Sequence, residues 1–132
     1  MLAGAVLLSG CSAFSPKEPA TPVVLPDGVT AIAAKDLFAY YTDDAKAADA
    51  LFKGKTLQVT GYLTMNRDFM GTRILVLSAG KGSMWNIAVQ CLFSDTSDPR
   101  LSTLKIGAET KVIGLCQGLE MDIILKDCRL AD

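Results

Sequence analysis

At Gly54 the hydrophobic period of this chain changes from that of a helix to that of a strand. Upstream, Leu37, Phe38, Tyr41, Ala45, Ala48, Leu51 and Phe52 share one stripe at spacings of three and four, with Lys35, Asp36, Asp43, Lys46 and Asp49 off it. That spacing predicts one helix over about 31–53, N-capped by Thr30, kinked near 42–44 and stopped by Gly54 in a left-handed conformation. Downstream, residues 56–63 alternate with Leu57 and Val59 inward, and Gly61 marks a bulge or bend. A loop over 66–71 leads to a strand over 72–78, and a turn over 79–83 leads to a third strand over 85–93. The odd positions of that third strand, Trp85, Ile87, Val89, Cys91 and Phe93, form one apolar face. Leu101 and Leu104 suit a short helical connection capped by Ser97 or Asp98. Strands over 109–116 and 121–130, with a turn at 117–120, close the chain as a hairpin.

A three-stranded meander, a short helical connection and a closing hairpin make the plan of an OB-fold. An open sheet of five such strands would leave long apolar edges exposed, which a barrel avoids. The expected fold is therefore mainly β, a five-stranded OB-fold Greek-key barrel preceded by an α-helix, spanning residues 30–132.

Several segments carry a family likeness as well. Ala48-Asp49-Ala50-Leu51-Phe52-Lys53-Gly54-Lys55, Leu57-Gln58-Val59-Thr60-Gly61, Val89-Gln90-Cys91-Leu92-Phe93, Gly114-Leu115-Cys116-Gln117-Gly118 and Leu125-Lys126-Asp127-Cys128 resemble the OB-fold lipoproteins grouped under the tRNA-anticodon-binding-like heading. The resemblance runs from about Ala31 to the C-terminus. It implies an OB-fold and an envelope lipoprotein, and it leaves activity open because a fold does not fix a function.

The front of the chain sets the compartment. Residues 1–8 are an apolar run, and Ser9-Gly10-Cys11 closes it as the small-small-Cys end of a bacterial lipoprotein signal peptide over residues 1–10. The run is far short of the roughly 20 apolar residues a membrane span needs. Acyl chains on Cys11 would anchor the protein stably. The first charge is Lys17, so a basic n-region is expected upstream of the given start. Residues 11–29, with Pro16, Pro19, Pro22 and Pro26, read as a semi-rigid tether ending in a turn at 26–28. Ser12 after the lipidated cysteine points to the outer membrane, with the domain facing the periplasm.

Composition narrows the chemistry. The chain holds no histidine, which removes histidine-based catalytic triads and the commonest zinc ligand. No catalytic pair and no metal site stand out, so neither an enzyme nor a cofactor is expected beyond the lipid on Cys11. With Cys11 lipidated, Cys91, Cys116 and Cys128 remain, and one disulfide between any two of them is expected in an oxidising envelope.

A ligand is expected on the face of the second and third barrel strands and the flanking loops, as in other OB-folds. There Arg67, Phe69, Arg73, Lys81, Trp85 and Asn86 offer cations and stacking groups. Residues 53–132 carry ten Lys and Arg against eight Asp and Glu, while residues 12–52 carry three against six. Such a mild balance disfavours nucleic acid as partner and favours a glycan, peptide or protein of the envelope. A structural or assembly role through the helix face around Tyr40 is the other reading. Mass spectrometry of membrane-extracted protein should show a lipid-sized adduct on an N-terminal Cys11; an unmodified Met1 terminus would refute the anchor.

Overall fold

Residues 20–80 and 87–132 are described in the computed structural model. Cys11, the tether to residue 19, and Lys81, Trp85 and Asn86 lie outside them. The tether expected up to residue 29 joins the fold earlier. β1 (Val23–Val24) pairs antiparallel with β2 (Thr30–Ala33) around the expected turn at Pro26-Asp27-Gly28, closed by Gly28 N–H to the Leu25 carbonyl at 2.9 Å.

β2 corrects the expected start of the helix. Residues 30–33 run parallel to Leu57–Thr60 and bury Ile32, so they satisfy a strand edge that a helix would leave unpaired. The helical stripe begins only at α1 (Ala34–Asp43), whose N-cap is Ala33 rather than Thr30 and makes no side-chain capping bond. The expected kink is a full break. Asp44 is extended (φ −158°, ψ 100°), donates its N–H to the Tyr40 carbonyl and accepts from the N–H groups of Lys46 and Ala47. It ends α1 and caps α2 (Ala45–Phe52) at once, as a short acidic side chain can. Gly54 (φ 84°) then turns the chain, as expected. Of the stripe, Leu37, Phe38, Tyr41, Ala48 and Phe52 are buried, while Ala45 and Leu51 are exposed because α2 turns after the break.

β3 (Thr56–Phe69) is longer than its alternation indicated, because the expected loop over 66–71 is strand as far as Phe69. Met70 and Gly71, both at positive φ, make a two-residue hairpin of the type whose twist matches the flanking strands. β4 (Thr72–Ser78) falls where expected, and β5 (Val89–Phe93) buries Val89, Cys91 and Phe93. A 3-10 turn over Pro99–Ser102, capped by Asp98, inserts the buried Leu101. β6 (Glu109–Glu120) runs through the expected turn at 117–120 with a bulge at Cys116/Gly118. Met121 links it to β7 (Asp122–Leu130).

β3 pairs with β4, β4 with β5, β5 in parallel with β7, β7 with β6, and β6 with β3, which closes a five-stranded barrel. The family's expected OB architecture is therefore the observed one. One core joins the barrel interior to the buried residues of both helices and Leu101. The helices meet the barrel near Gly61, Leu77 and Gly118, and the 3-10 turn sits by Asn66 and Arg73, at the opposite end by register. No helix of the described residues is long and apolar enough to cross a membrane.

Gly61 lets α1 seat. A Cβ there would lie 2.9 Å from the Ser78 carbonyl oxygen, 3.0 Å from the Leu77 Cβ and 3.1 Å from the Ala34 Cβ. Gly61→Ala should lower stability by about 1–3 kcal/mol through overpacking. An unchanged urea midpoint would show that the α1 contact is not tightly fitted.

Candidate ligand-binding face

Register decides which side chains share the outer face of the barrel, because directly opposed residues point the same way. Leu75, Leu77, Val89 and Cys91 are buried inside, so their neighbours in each strand point out. Arg67, Ile74 and Leu92 lie side by side across β3, β4 and β5. Met65, Val76, Gln90 and Ile124 form the next row, extending onto β7. Phe69, opposite Thr72, lies beyond Arg67 and is 55% exposed. The face is thus mostly aliphatic. Its one central amide, Gln90, donates through Nε2 to Asp122 Oδ2 at 2.9 Å, and Asp122 Oδ1 accepts the Ala88 N–H at 3.0 Å.

Two hairpin tips bracket this face. The β3–β4 tip adjoins the Arg73↔Phe93 end of the sheet, and the β6–β7 tip adjoins the Leu77↔Val89↔Ile123 end. Each tip carries a methionine at positive φ, Met70 (51°) and Met121 (69°). They are 89% and 93% exposed. Left-handed backbone is unusual for a side chain of this kind, and neither methionine gains by burial in the chain itself.

The sequence-derived candidates divide. Arg67 and Phe69 lie on the outer face together. Arg73 does not: it is opposite the buried Phe93, on the inner side of the sheet. Its Nη1 donates to Asn66 Oδ1 at 3.1 Å, Asn66 Nδ2 donates to the Leu101 carbonyl at 2.9 Å, and Arg73 Nε is buried without a partner among the described residues. Arg73 therefore braces the 3-10 turn against the barrel. The misplacement follows from the missed extension of β3, since a loop there conceals the parity that separates Arg67 from Arg73. Lys81, Trp85 and Asn86 fall outside the described residues. Met65, Ile74, Val76 and Leu92 on the outer face went unremarked because alternating apolar residues look alike whether they fill a core or a docking face.

Cys91, Cys116 and Cys128 are buried and free. Cys116 sits beneath α1 and α2 in a network that sequence reading missed. Tyr41 donates its hydroxyl to Asp49 Oδ1 at 2.8 Å, and burial, then this bond, pushes the phenol well above its usual range. Burial likewise raises the Cys116 thiol. Gly118 (φ 94°) leaves room for Asp49, whose Oδ1 would be 2.9 Å from a Cβ there. This network pins the helices to β6 and is closed to ligands, since Tyr41 and Cys116 are buried. Tyr40, the expected contact residue, stacks edge-on against Phe52 at 5.3 Å between ring centroids. Among the described residues no three His, Cys, Asp or Glu side chains gather as a metal site.

A family model described as tRNA_anti-like matches residues 1–129. Among solved structures, a Klebsiella pneumoniae protein named "putative nucleic acid-binding lipoprotein" superposes with a TM-score of 0.59 at 12% identity, over 74% of this chain and 87% of its own. The Stn1–Ten1 complex of S. pombe gives 0.43 at 16% identity, over 58% and 57%. An OBody bound to hen egg-white lysozyme gives 0.44 at 14% identity, over 62% and 86%. At these identities the likeness is one of fold. No curated protein matches the sequence.

The opposite settings of the two arginines can be measured. Arg73→Ala should cost about 1–2 kcal/mol of stability by unseating the 3-10 turn, whereas Arg67→Ala should stay within about 0.5 kcal/mol. Equal losses in paired urea titrations would refute the division.

Proposed function

The chain belongs to the tRNA_anti-like family, a family of OB-fold binding domains, and from that membership we propose a lipid-anchored envelope protein whose barrel is a non-catalytic binding module for a peptide or protein. The observation that carries this reading is the chemistry of the outer face: Met65, Ile74, Val76, Leu92 and Ile124 in adjoining rows, between two methionine-tipped hairpins. Apolar side chains with flexible, polarisable methionines at the margins suit a protein surface. Sugars and bases ask for aromatic platforms, and the described residues put aromatics only at the two margins of this face, Phe69 at one end and Tyr62, opposite Ser78, at the other, with aliphatic rows between them.

Charge supports the same choice. Arg67 and Lys126 stand against Asp122 on or beside the face, too few cations to track a phosphate backbone. The apolar run over residues 1–8 closed by Ser9-Gly10-Cys11 supports an envelope location, and Ser12 the outer membrane. Nucleic-acid binding is the second reading, favoured by the name of the Klebsiella protein.

Two measurements separate them. Fluorescence anisotropy with a labelled 20-nucleotide poly(dT) at near-physiological salt should show no saturable binding; saturable binding weakened by Arg67→Ala would favour the nucleic-acid reading. A photo-crosslinking residue at Val76 or Leu92 in intact cells should give a discrete protein adduct that Ile74→Asp abolishes, while the same residue at exposed Lys46 should not. Equal crosslinking at all three positions would refute the face.

A further inference from the structure

The three barrel cysteines are not equivalent. Cys116 and Cys91 are both level with Leu125, one on each side of β7, through the β6–β7 and β5–β7 registers. Register alone therefore leaves Cys128 three residues beyond both. What separates them is the direction of the side chains. Cys116 turns to Tyr41 beneath the helices. Cys91, wholly buried, meets Cys128, and the neighbouring thiol adds to burial in raising its pKa.

The backbone around Cys128 is shaped to bring this about. Asp127 is left-handed (φ 50°), and two β7 residues face Gly114 between the Ile113↔Arg129 and Leu115↔Lys126 pairs. Such a bulge shortens the strand and draws Cys128 back toward the level of Cys91. On the other side Gly114 leaves space for the sulfur, since a Cβ there would lie 2.6 Å from Cys128 Sγ. Cys128 also has a way out. It is 5% exposed and lines a surface depression with Asp95, Ser97, Asp98 and Arg129, whereas Cys91 is sealed.

We propose that Cys91 and Cys128 form a disulfide inside the barrel by thiol–disulfide exchange, entered at Cys128 through this depression and completed by Cys91, with Cys116 left as a thiol. The Cys128 thiolate attacks a small disulfide oxidant RSSR, forming Cys128–S–S–R and releasing RS⁻, which takes up the proton lost by Cys128. The Cys91 thiolate then attacks the Cys128 sulfur, forming Cys91–S–S–Cys128 and releasing the second RS⁻, protonated by the proton from Cys91. Two cysteines are oxidised and one RSSR is reduced to two RSH. The bridge ties β5 to β7 just past Cys91↔Leu125, the last of the three residue pairs that join those strands.

The test uses the full chain with Cys11→Ser, incubated with excess glutathione disulfide, quenched in acid, and labelled with a maleimide in denaturant. Tryptic cleavage places Cys91 in residues 82–100, Cys116 in 112–126 and Cys128 in 127–129. The expected result is one linked species joining 82–100 to 127–129, with Cys116 labelled. The oxidised protein should melt higher than the reduced protein by roughly 5 °C or more, as closing a loop of this size predicts. A bridge to Cys116, three labelled thiols, or a glutathione adduct on Cys128 that Cys91 never displaces would each overturn the pairing.

Discussion

β3 is the strand on which every other part of this molecule is hung. Its first half hydrogen-bonds β2 on one edge and β6 on the other, while its second half pairs with β4 along the edge that β2 has left. The far edge of that second half is filled by the connection before β6: Leu63 exchanges bonds with Gly107 and Ala108, and Asn66 holds the Leu101 carbonyl. A strand inside a barrel has no water to satisfy its backbone, so each of these partners answers a fixed demand. The bulge between Leu63 and Met65 and the side-chain-free Gly61 let one strand bend from its β2 and β6 partners to β4 without breaking.

That demand explains where sequence and structure part. Alternation marked β4, the core of β5 and the closing hairpin because their inward residues are mostly apolar, with Arg73 and Thr110 the exceptions, and the change of period at Gly54 located the barrel. It failed at Thr30–Ala33, where Ala31-Ile32-Ala33 fits a helix as well as a strand and only the vacant edge of β3 decides. It failed again at 66–69, where Asn66, Arg67 and Asp68 look like a loop because Asn66 is turned to polar partners at the 3-10 turn and residues 67–69 lead into an exposed hairpin. Asp44 was legible as an irregularity but not as a cap, since capping depends on a break already being there.

The candidate residues were chosen by residue type, and residue type does not say which side of a strand a residue occupies. Cations and aromatics draw attention in a sequence, and of those with described positions Arg67 and Phe69 face outward whereas Arg73 is structural. The aliphatic rows that dominate the surface carry no such mark, because isolated strands cannot say which of two apolar faces is covered. In this barrel the middle of β4 and of β5 carries apolar residues on both sides, and closure alone assigns Leu75 and Cys91 to the core and Ile74 and Leu92 to the surface.

The closure of β6 against β3 also sets an order on assembly. Thr56 pairs with Leu115 and Tyr62 with Glu109, so these contacts join residues roughly fifty positions apart, and β5 meets β7 across 34 positions, as in Val89↔Ile123. Contacts at either separation must wait for loop closure, which slows folding of such topologies. A chain emerging N-terminus first can form β2, the helices and the β3–β4 hairpin, but one edge of β3 stays bare until β6 has followed. The lifetime of that bare edge, rather than the stability of the finished barrel, is the interval in which the protein is open to proteases and to pairing with its own kind.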